Sequence, residues 1–220
     1  MNTSHPLAAE KYNATITYIN EVTPDLWIIR IKADEEQPVF DAGQFVTIGL
    51  GSWESRLEGC QLETNVKEGF LGRRAYSVSS PVFDDNGKLC EHNELPYLEL
   101  YIALVREGSN PKHTPYLTPR IFNLEAGDRL FLNKRAAGHY TLDDIETQND
   151  VILLSTGTGL APHNAMAAQL LSNNHQGKIV IVDCNRNFAS FAYEEQMRTL
   201  EKQYDNVHYQ QLVTREGPNP

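Results

Sequence analysis

Cysteine is scarce in this 220-residue chain, and the three present, Cys60, Cys90 and Cys184, are far apart. They cannot close an even disulfide framework and contain no C-x-x-C pair, which excludes a disulfide scaffold and the usual zinc and iron–sulfur spacings. No C-x-x-x-x-C-x-x-C run occurs, so no plant-type ferredoxin module lies within these residues. The seven histidines are scattered without an H-x-x-x-H pair, which leaves no metal signature. Long apolar runs are missing as well: Val151–Leu154 and Ile179–Val182 are far too short to span a bilayer. Met1 to Tyr12 lacks the basic and apolar blocks of a secretory leader. The expectation is a cytoplasmic protein with reduced thiols and no membrane span. A net basic charge is also absent. The formal charge of −10 argues against nucleic acid, which needs a cationic footprint to release counterions.

What is present is an ordinary globular balance, 40% hydrophobic and 22% charged residues, in a chain long enough to bury a sizeable core unaided. The first two-thirds read as short β-strands rich in β-branched and aromatic residues: Ala14–Ile19, Leu26–Ile31, Phe45–Leu50, Leu98–Val105 and Arg129–Lys134. Turn signals at Thr23-Pro24-Asp25, Asp41-Ala42-Gly43, Asp84-Asp85-Asn86-Gly87 and Ala126-Gly127-Asp128 separate them. Many short strands without a long helical period predict an antiparallel barrel or sandwich. Trp53–Gly72 is polar and reads as a surface insertion; Cys90–Pro96 reads as a small loop.

The pattern changes near Leu142. A continuous apolar strand, Val151–Ser155, leads through glycines into a helix from about Pro162, suited to the first helical position, to Ser172. A strand at Ile179–Asp183, a helix at Tyr193–Tyr204 and a strand at Val207–Val213 follow, predicting a right-handed parallel α/β unit. Three parallel strands are half of the usual nucleotide-binding sheet. With Gly217-Pro218-Asn219-Pro220 reading as a loop, further residues are expected in the native protein.

Two segments carry chemistry. In Arg73–Pro81, RRAYSVSSP, strand alternation puts Arg74 and Tyr76 on one face. A guanidinium beside a flat ring suits a phosphate joined to a planar ligand. Taken alone, the pair is equally an exposed arginine next to a core tyrosine. In Ser155–Pro162, STGTGLAP, glycines after a strand and before a helix let the backbone approach a phosphate at the helix N-terminus. This is neither G-x-G-x-x-G nor a P-loop, and by itself it is also compatible with a plain tight turn.

Together, Arg-Ala-Tyr-Ser in a β-rich region and Gly-Thr-Gly-Leu-Ala-Pro at the first turn of an α/β unit resemble the ferredoxin–NADP reductase family. The likeness is closest to the bacterial ferredoxin/flavodoxin reductases. Ala42-Gly43-Gln44-Phe45, Gly127-Asp128, Gly138-His139-Tyr140-Thr141-Leu142 and Val213-Thr214-Arg215-Glu216 fall in the order of that family. The resemblance implies two domains: an FAD-binding antiparallel β-barrel over residues 8–143, and a parallel α/β NADP-binding domain over 144–220 whose C-terminal part is missing. It implies hydride transfer between NADPH and FAD, and single electrons passed to ferredoxin or flavodoxin. Tyr76 and Ser77 would be the residues at the reacting ring, with Tyr76 stacked on the isoalloxazine and Ser77 near N5. Arg74 would hold the pyrophosphate. Thr118 would belong to a second phosphate-contacting loop, although Pro119 offers no N–H there. Gly157, Thr158, Gly159 and Pro162 would line the NADP(H) site, with Arg186, Thr214 and Arg215 around the 2′-phosphate.

Alternatives stay open at this level. The same scaffold would serve the reductase component of an oxygenase, a free-flavin reductase, or an FAD-binding regulatory subunit without turnover. Asp183, at the end of the second parallel strand, is where an acid selecting the 2′-hydroxyl of NADH would stand, against Arg186 and Arg215, which favour NADPH. Arg73, Arg106, Lys134 and Arg135 could form a basic rim for an acidic carrier or be ordinary surface charges. Cys184 reads as a small buried residue at a strand end, because the family's Cys-Gly-Asn-Pro-like segment does not occur.

Overall fold

The computed structural model describes residues 5–64, 66–84, 87–90, 92–109 and 114–215. Parts of the turn at Asp84–Gly87, together with Glu216 and the loop Gly217–Pro220, lie outside the described residues.

Six strands close a barrel: β1 (Ala14–Thr23), β2 (Leu26–Ala33), β3 (Phe45–Gly51), β4 (Leu71–Ser79), β5 (Leu98–Ala103) and β6 (Arg129–Leu132), in the spatial order β1-β2-β5-β4-β3-β6. β1 and β2 form a hairpin whose ladder ends at Thr23↔Leu26, leaving Pro24 and Asp25 as the turn, with proline fixing the backbone angle that the turn needs. Ile16, Ile29, Ile31, Val46, Ile48, Leu50, Leu100, Leu130 and Leu132 are buried. Each contributes roughly 1.5–3 kcal/mol on leaving water. The strand ends differ from the sequence reading by one to a few residues; β5 stops at Ala103 and β6 at Leu132.

One seam of the barrel is nearly unzipped. β4 pairs with the whole length of β3, from Phe45↔Ser77 to Gly51↔Leu71. Against β5 it pairs only at Val78↔Leu100 and Ser79↔Glu99. Residues 71–77 of β4 and 101–103 of β5 therefore diverge, and this opening positions the site.

Behind the barrel, β7 (Val151–Thr156), β8 (Ile179–Asn185) and β9 (Val207–Val213) form a parallel sheet in the order β7-β8-β9. The crossovers contain α3 (Leu160–Ser172) and α4 (Glu194–Gln203), after the short helices α1 (Pro6–Lys11) and α2 (Thr118–Ile121). α3 is buried along nearly its whole length, as expected of a helix without a polar face. It packs on β4 of the barrel as well as on β7 and β8, and its alanines permit that close approach. The helix starts at Leu160 after a 3₁₀ turn, Gly157–Gly159, so Pro162 sits within the first turn rather than at its first position. The other face of the sheet carries exposed Ile152, Leu154 and Leu212. No helix among the described residues is long and apolar enough to cross a membrane.

Trp53–Gly72 lies at the surface, as expected of an insertion between two strands, with many of its residues exposed, but it is tied down at its end and from within. Leu71 and Gly72 belong to β4, and the polar residues before them are drawn inward by one another. Glu63 sits between Arg56 and Arg120, all three largely buried. Cys90 is buried in the following loop, and the Asn93 side chain there donates to the Phe40 carbonyl and accepts from the Phe40 N–H.

The junction of the two sheets depends on a glycine. Gly43 has φ +102°, and a Cβ there would lie 1.8 Å from the Tyr140 carbonyl oxygen and 2.4 Å from Met166 Cε of α3. Left-handed strain and this overlap together predict that Gly43→Ala destabilises the fold by about 3 kcal/mol, a drop of roughly 10 °C in Tm for a chain of this size. Thermal unfolding followed by circular dichroism checks this; a Tm within about 2 °C of the parent would contradict it.

Candidate functional site

The open seam forms a cleft of about 680 Å³. Arg74, Ala75 and Tyr76 of β4 form one wall, and Tyr101, Ile102 and Ala103 of β5 another; the chain running through Val105, Thr114 and Tyr116 to Thr118 forms the third. Cross-strand partners share a face, and those of Arg74 and Tyr76 are the buried Ile48 and Val46. The two side chains thus start from the inner side of β4 and reach the cleft because β5 has separated. Arg74 is exposed, and among the described residues no carboxylate pairs with it. Tyr76 is partly buried, and burial pushes its hydroxyl well above the usual phenol range. Thr118 lines the cleft and accepts a hydrogen bond from the Val105 N–H at 3.1 Å. Ser77 is half-buried on the opposite side of β4, paired with Phe45, and does not line the cleft.

A second cleft, of about 720 Å³, opens at the C-terminal ends of the parallel strands, where open α/β sheets bind their ligands. Thr156, Gly157, Thr158, Cys184, Asn185, Arg186 and Thr214 line it. Gly157 has φ +53°, and a Cβ there would meet nothing within 4 Å. The glycine serves the backbone turn and leaves open space above it. Gly159 precedes α3, and Pro162 is buried in its first turn without lining the cleft. The ladder continues past the strand ends: the Thr214 N–H donates to Asn185 O at 3.0 Å, and the Arg215 N–H to Arg186 O at 2.9 Å. Arg186 and Arg215 are therefore lateral neighbours, both exposed.

Asp183 is turned away from this cleft. It is fully buried, accepting from Asn185 Nδ2 at 2.8 Å and from the Tyr209 hydroxyl at 3.2 Å, and burial pushes its carboxyl up to about 6. It does not occupy the place of a ribose-selecting acid. Cys184 is half-buried and lines the cleft, so it is not the enclosed core residue expected.

The two clefts share Ala103 and Thr158. A buried chain of hydrogen bonds holds them in register: Asn164 Nδ2 donates to Ser79 Oγ at 3.0 Å, Ser79 Oγ to the Tyr193 hydroxyl at 3.1 Å, and that hydroxyl to Glu99 Oε1 at 2.9 Å. Arg30 Nε closes the chain on Glu99 Oε2 at 2.9 Å. Burial holds the Glu99 carboxyl above its ordinary value, against the pull of Arg30. Tyr101 adds a hydrogen bond to Ser190 O at 3.0 Å. None of Glu99, Tyr101, Tyr116, Asn164 and Tyr193 is evident as a site residue from sequence. The available signal was Glu99, a carboxylate within the apolar strand Leu-Glu-Leu-Tyr-Ile-Ala, which cannot be buried unpaired.

The basic rim is half neutralised: among the described residues Arg135 is exposed without a carboxylate partner, whereas the others are engaged. Arg106 pairs with Asp25, Lys134 with Glu35, and Arg73 lies over the Phe131 ring. A further groove, about 790 Å³, lies between residues 33–39 and 132–136. It has no aromatic lining, and its Asp34 and Glu35 are paired with Arg129 and Lys134. Among the described residues no group of three or more His, Cys, Asp or Glu could hold a metal ion.

The model of an oxidoreductase NAD-binding domain matches residues 153–220. A flavodoxin/ferredoxin–NADP reductase of Buchnera aphidicola is 26% identical over 205 residues, 93% of this chain and 70% of the relative. One from Escherichia coli K12 is 28% identical over 212 residues, 94% of this chain and 70% of the relative. The chain thus spans about 70% of the length of these two relatives. In fold it is similar to a ferredoxin NADP+ reductase from Neisseria gonorrhoeae solved with FAD and NADP, at a TM-score of 0.67 and 21% identity, covering 96% of this chain and 71% of that one.

His163, buried on α3, makes one hydrogen bond, to the Tyr140 hydroxyl at 2.9 Å, and burial lowers its pKa from 6.5 to about 4. Its Nδ1 has no hydrogen-bond partner among the described residues. The unfolded chain takes the proton first, so His163 contributes full stability above pH 6.5 and loses it as pH falls toward 4. At about 1.4 kcal/mol per pH unit, the gap amounts to on the order of 3 kcal/mol. Urea unfolding of the parent and His163→Gln from pH 7.5 to 4 should show the variant gaining by about that much toward acid. Parallel curves would mean that His163 is not buried neutral. Asp183 works in the opposite sense, its share being lost as pH rises through about 6, and it cancels in this difference.

Proposed function

The chain belongs to the ferredoxin–NADP reductase family, and on that premise we propose that it transfers hydride between NADPH and FAD and passes single electrons to a ferredoxin or flavodoxin. In this reading residues 8–143 bind FAD and residues 144–220 bind NADP(H). What carries the reading is the meeting of the two clefts at Ala103 and Thr158. A hydride donor in one cleft and its acceptor in the other would be side by side, which is the proximity that hydride transfer requires.

The residues present fit both cofactors. An unpaired guanidinium at Arg74 beside the aromatic walls of Tyr76 and Tyr101 suits a diphosphate joined to a planar ring. The open space above Gly157 and the start of α3 suit the phosphates of a dinucleotide. When bound, the flavin supplies the chemistry that accepts hydride and releases electrons singly. The chain's own part is to bind, orient and exclude water. Arg74 would hold the diphosphate, Tyr76 would cover the ring, and Thr118 would border the phosphates. Ser77, turned away from the cleft, takes no part in this reading, while Gly157, Thr158, Gly159 and Pro162 would shape the coenzyme turn. Arg186 and Arg215, with Thr214, would clamp a 2′-phosphate, and the inward Asp183 does not oppose them.

Two experiments test this. Arg74→Ala and Tyr76→Ala should each weaken FAD retention about ten- to a hundred-fold, measured by flavin released on dilution and filtration. Equal retention in all three proteins would remove the assignment. With ferricyanide as acceptor, kcat/KM should favour NADPH over NADH in the parent. The Arg186→Ala, Arg215→Ala double variant should lose about ten-fold or more of that preference. A parent that prefers NADH, or a variant with unchanged preference, would leave the two arginines as surface charges.

A further inference from the structure

The wall of the flavin cleft formed by residues 105–109 and 114–118 is held from behind by residues 55–63. The Leu57 N–H donates to Pro119 O at 2.7 Å, the Gln61 N–H to Arg106 O at 2.8 Å, and the Gly108 N–H to Gln61 Oε1 at 2.9 Å. Gln61 Nε2 reaches Thr114 Oγ1 at 3.3 Å, and Arg56 Nη1 donates to Pro115 O at 2.9 Å. Gly108, Thr114 and Pro115 all line the cleft. The strap crosses only the back of that wall; none of residues 55–63 lines the cleft itself.

Glu63 anchors the strap. It receives both terminal nitrogens of Arg120, at 2.9 and 2.7 Å, and Arg56 Nη1 at 2.7 Å. Arg120, almost wholly buried, donates to Tyr116 O at 2.8 Å and stacks its guanidinium 4.1 Å from the centre of the Tyr116 ring. Tyr116 lines the cleft, and the bare backbone of Gly72 makes room for it: a Cβ there would lie 1.9 Å from the ring. Two buried guanidiniums share one carboxylate, so removing the negative charge leaves two cations repelling each other behind the wall. Breaking a buried pair in this way costs far more than losing an exposed one.

We propose that Glu63 is a positioning residue for the flavin cleft: through Arg120 and Arg56 it fixes Tyr116 and Pro115, and FAD affinity depends on it without contact. This rests on the reading of that cleft as the FAD site. The test is titration of the whole apoprotein with FAD in the parent, Glu63→Gln, Glu63→Asp, Gln61→Ala and Arg74→Ala. Glu63→Gln should raise the Kd about ten- to a hundred-fold and alter the visible circular dichroism of the flavin at saturation. Glu63→Asp, which keeps a carboxylate between the arginines, should recover most of the affinity. Gln61→Ala cuts two ties of the strap and leaves the charges paired; it should weaken binding several-fold, and it decides the matter if Glu63→Gln does not fold. Parental affinity in Gln61→Ala, with parental affinity in any Glu63→Gln that folds, overturns the proposal provided that Arg74→Ala is impaired. A parent that takes up no FAD overturns the cofactor reading together with it.

Discussion

The Tyr193 hydroxyl is the interaction on which the arrangement of the two sheets depends. It sits at the last rung of the β4–β5 ladder, where Ser79 and Glu99 face each other, and bonds to both. A buried carboxylate is tolerable only with strong donors, and Glu99 obtains them from its own barrel through Arg30 and from the parallel unit through Tyr193. Separating the units would leave Glu99 with one donor and Ser79 without its acceptor. The polar chain therefore holds the parallel unit in one orientation, which apolar packing of α3 on β4 alone would specify less sharply.

That orientation and the open seam are two aspects of one geometry. β4 and β5 separate immediately beyond the Val78–Leu100 pair, one rung along from Ser79–Glu99, and the cleft begins where the ladder stops. Tyr101, two residues along β5 from Glu99, is tied to Ser190 on the other unit while lining the cleft. The contacts that dock the units thus also set one wall of the first cleft and bring Thr158 to its edge. Loss of a docking contact would change the distance between the two clefts before it changed either one.

The parallel unit was legible because short continuous apolar strands alternate with helical stretches, α4 showing the helical spacing of Met197 and Leu200. Val207–Val213 matches the expectation to the residue, and Met197 and Leu200 are buried on one side of α4. The barrel strands were legible by composition, less so in their ends, since tertiary pairing decides where a ladder stops. α1 and α2, six and four residues long, are too short to display a helical period. The ties within the strap were not legible for a different reason. Arg56, Glu63 and Arg120 look solvent-exposed one at a time, and only their mutual pairing, across a separation of 57 residues for Glu63 and Arg120, makes burial possible. The docking chain was hidden likewise, with 114 residues between Ser79 and Tyr193.

The choice of coenzyme illustrates how direction outweighs position. Asp183 and Arg186 are three residues apart, and in sequence each claims the same ribose. Along β8 the burial alternates, with Ile179, Ile181, Asp183 and Asn185 inward and Cys184 less so. Period two thus sends Asp183 into the sheet's covered face and Arg186 to the opposite, exposed side. Asp183 spends its hydrogen-bonding capacity on Tyr209 and Asn185. The protein carries a formal charge of −10, yet Arg74, Arg186 and Arg215, like Arg73 and Arg135, are exposed without a carboxylate partner among the described residues, while Arg30, Arg56, Arg106, Arg120, Arg129 and Arg198 each have one. In the proposed reading, a phosphate close to such an arginine would meet its charge at short range, whereas distant surface acids are screened within about a Debye length of roughly 8 Å. An acidic protein can therefore present an unpaired arginine at each of two clefts, provided that the acids nearest to them are paired, as Asp25 is with Arg106, or turned inward, as Asp183 is.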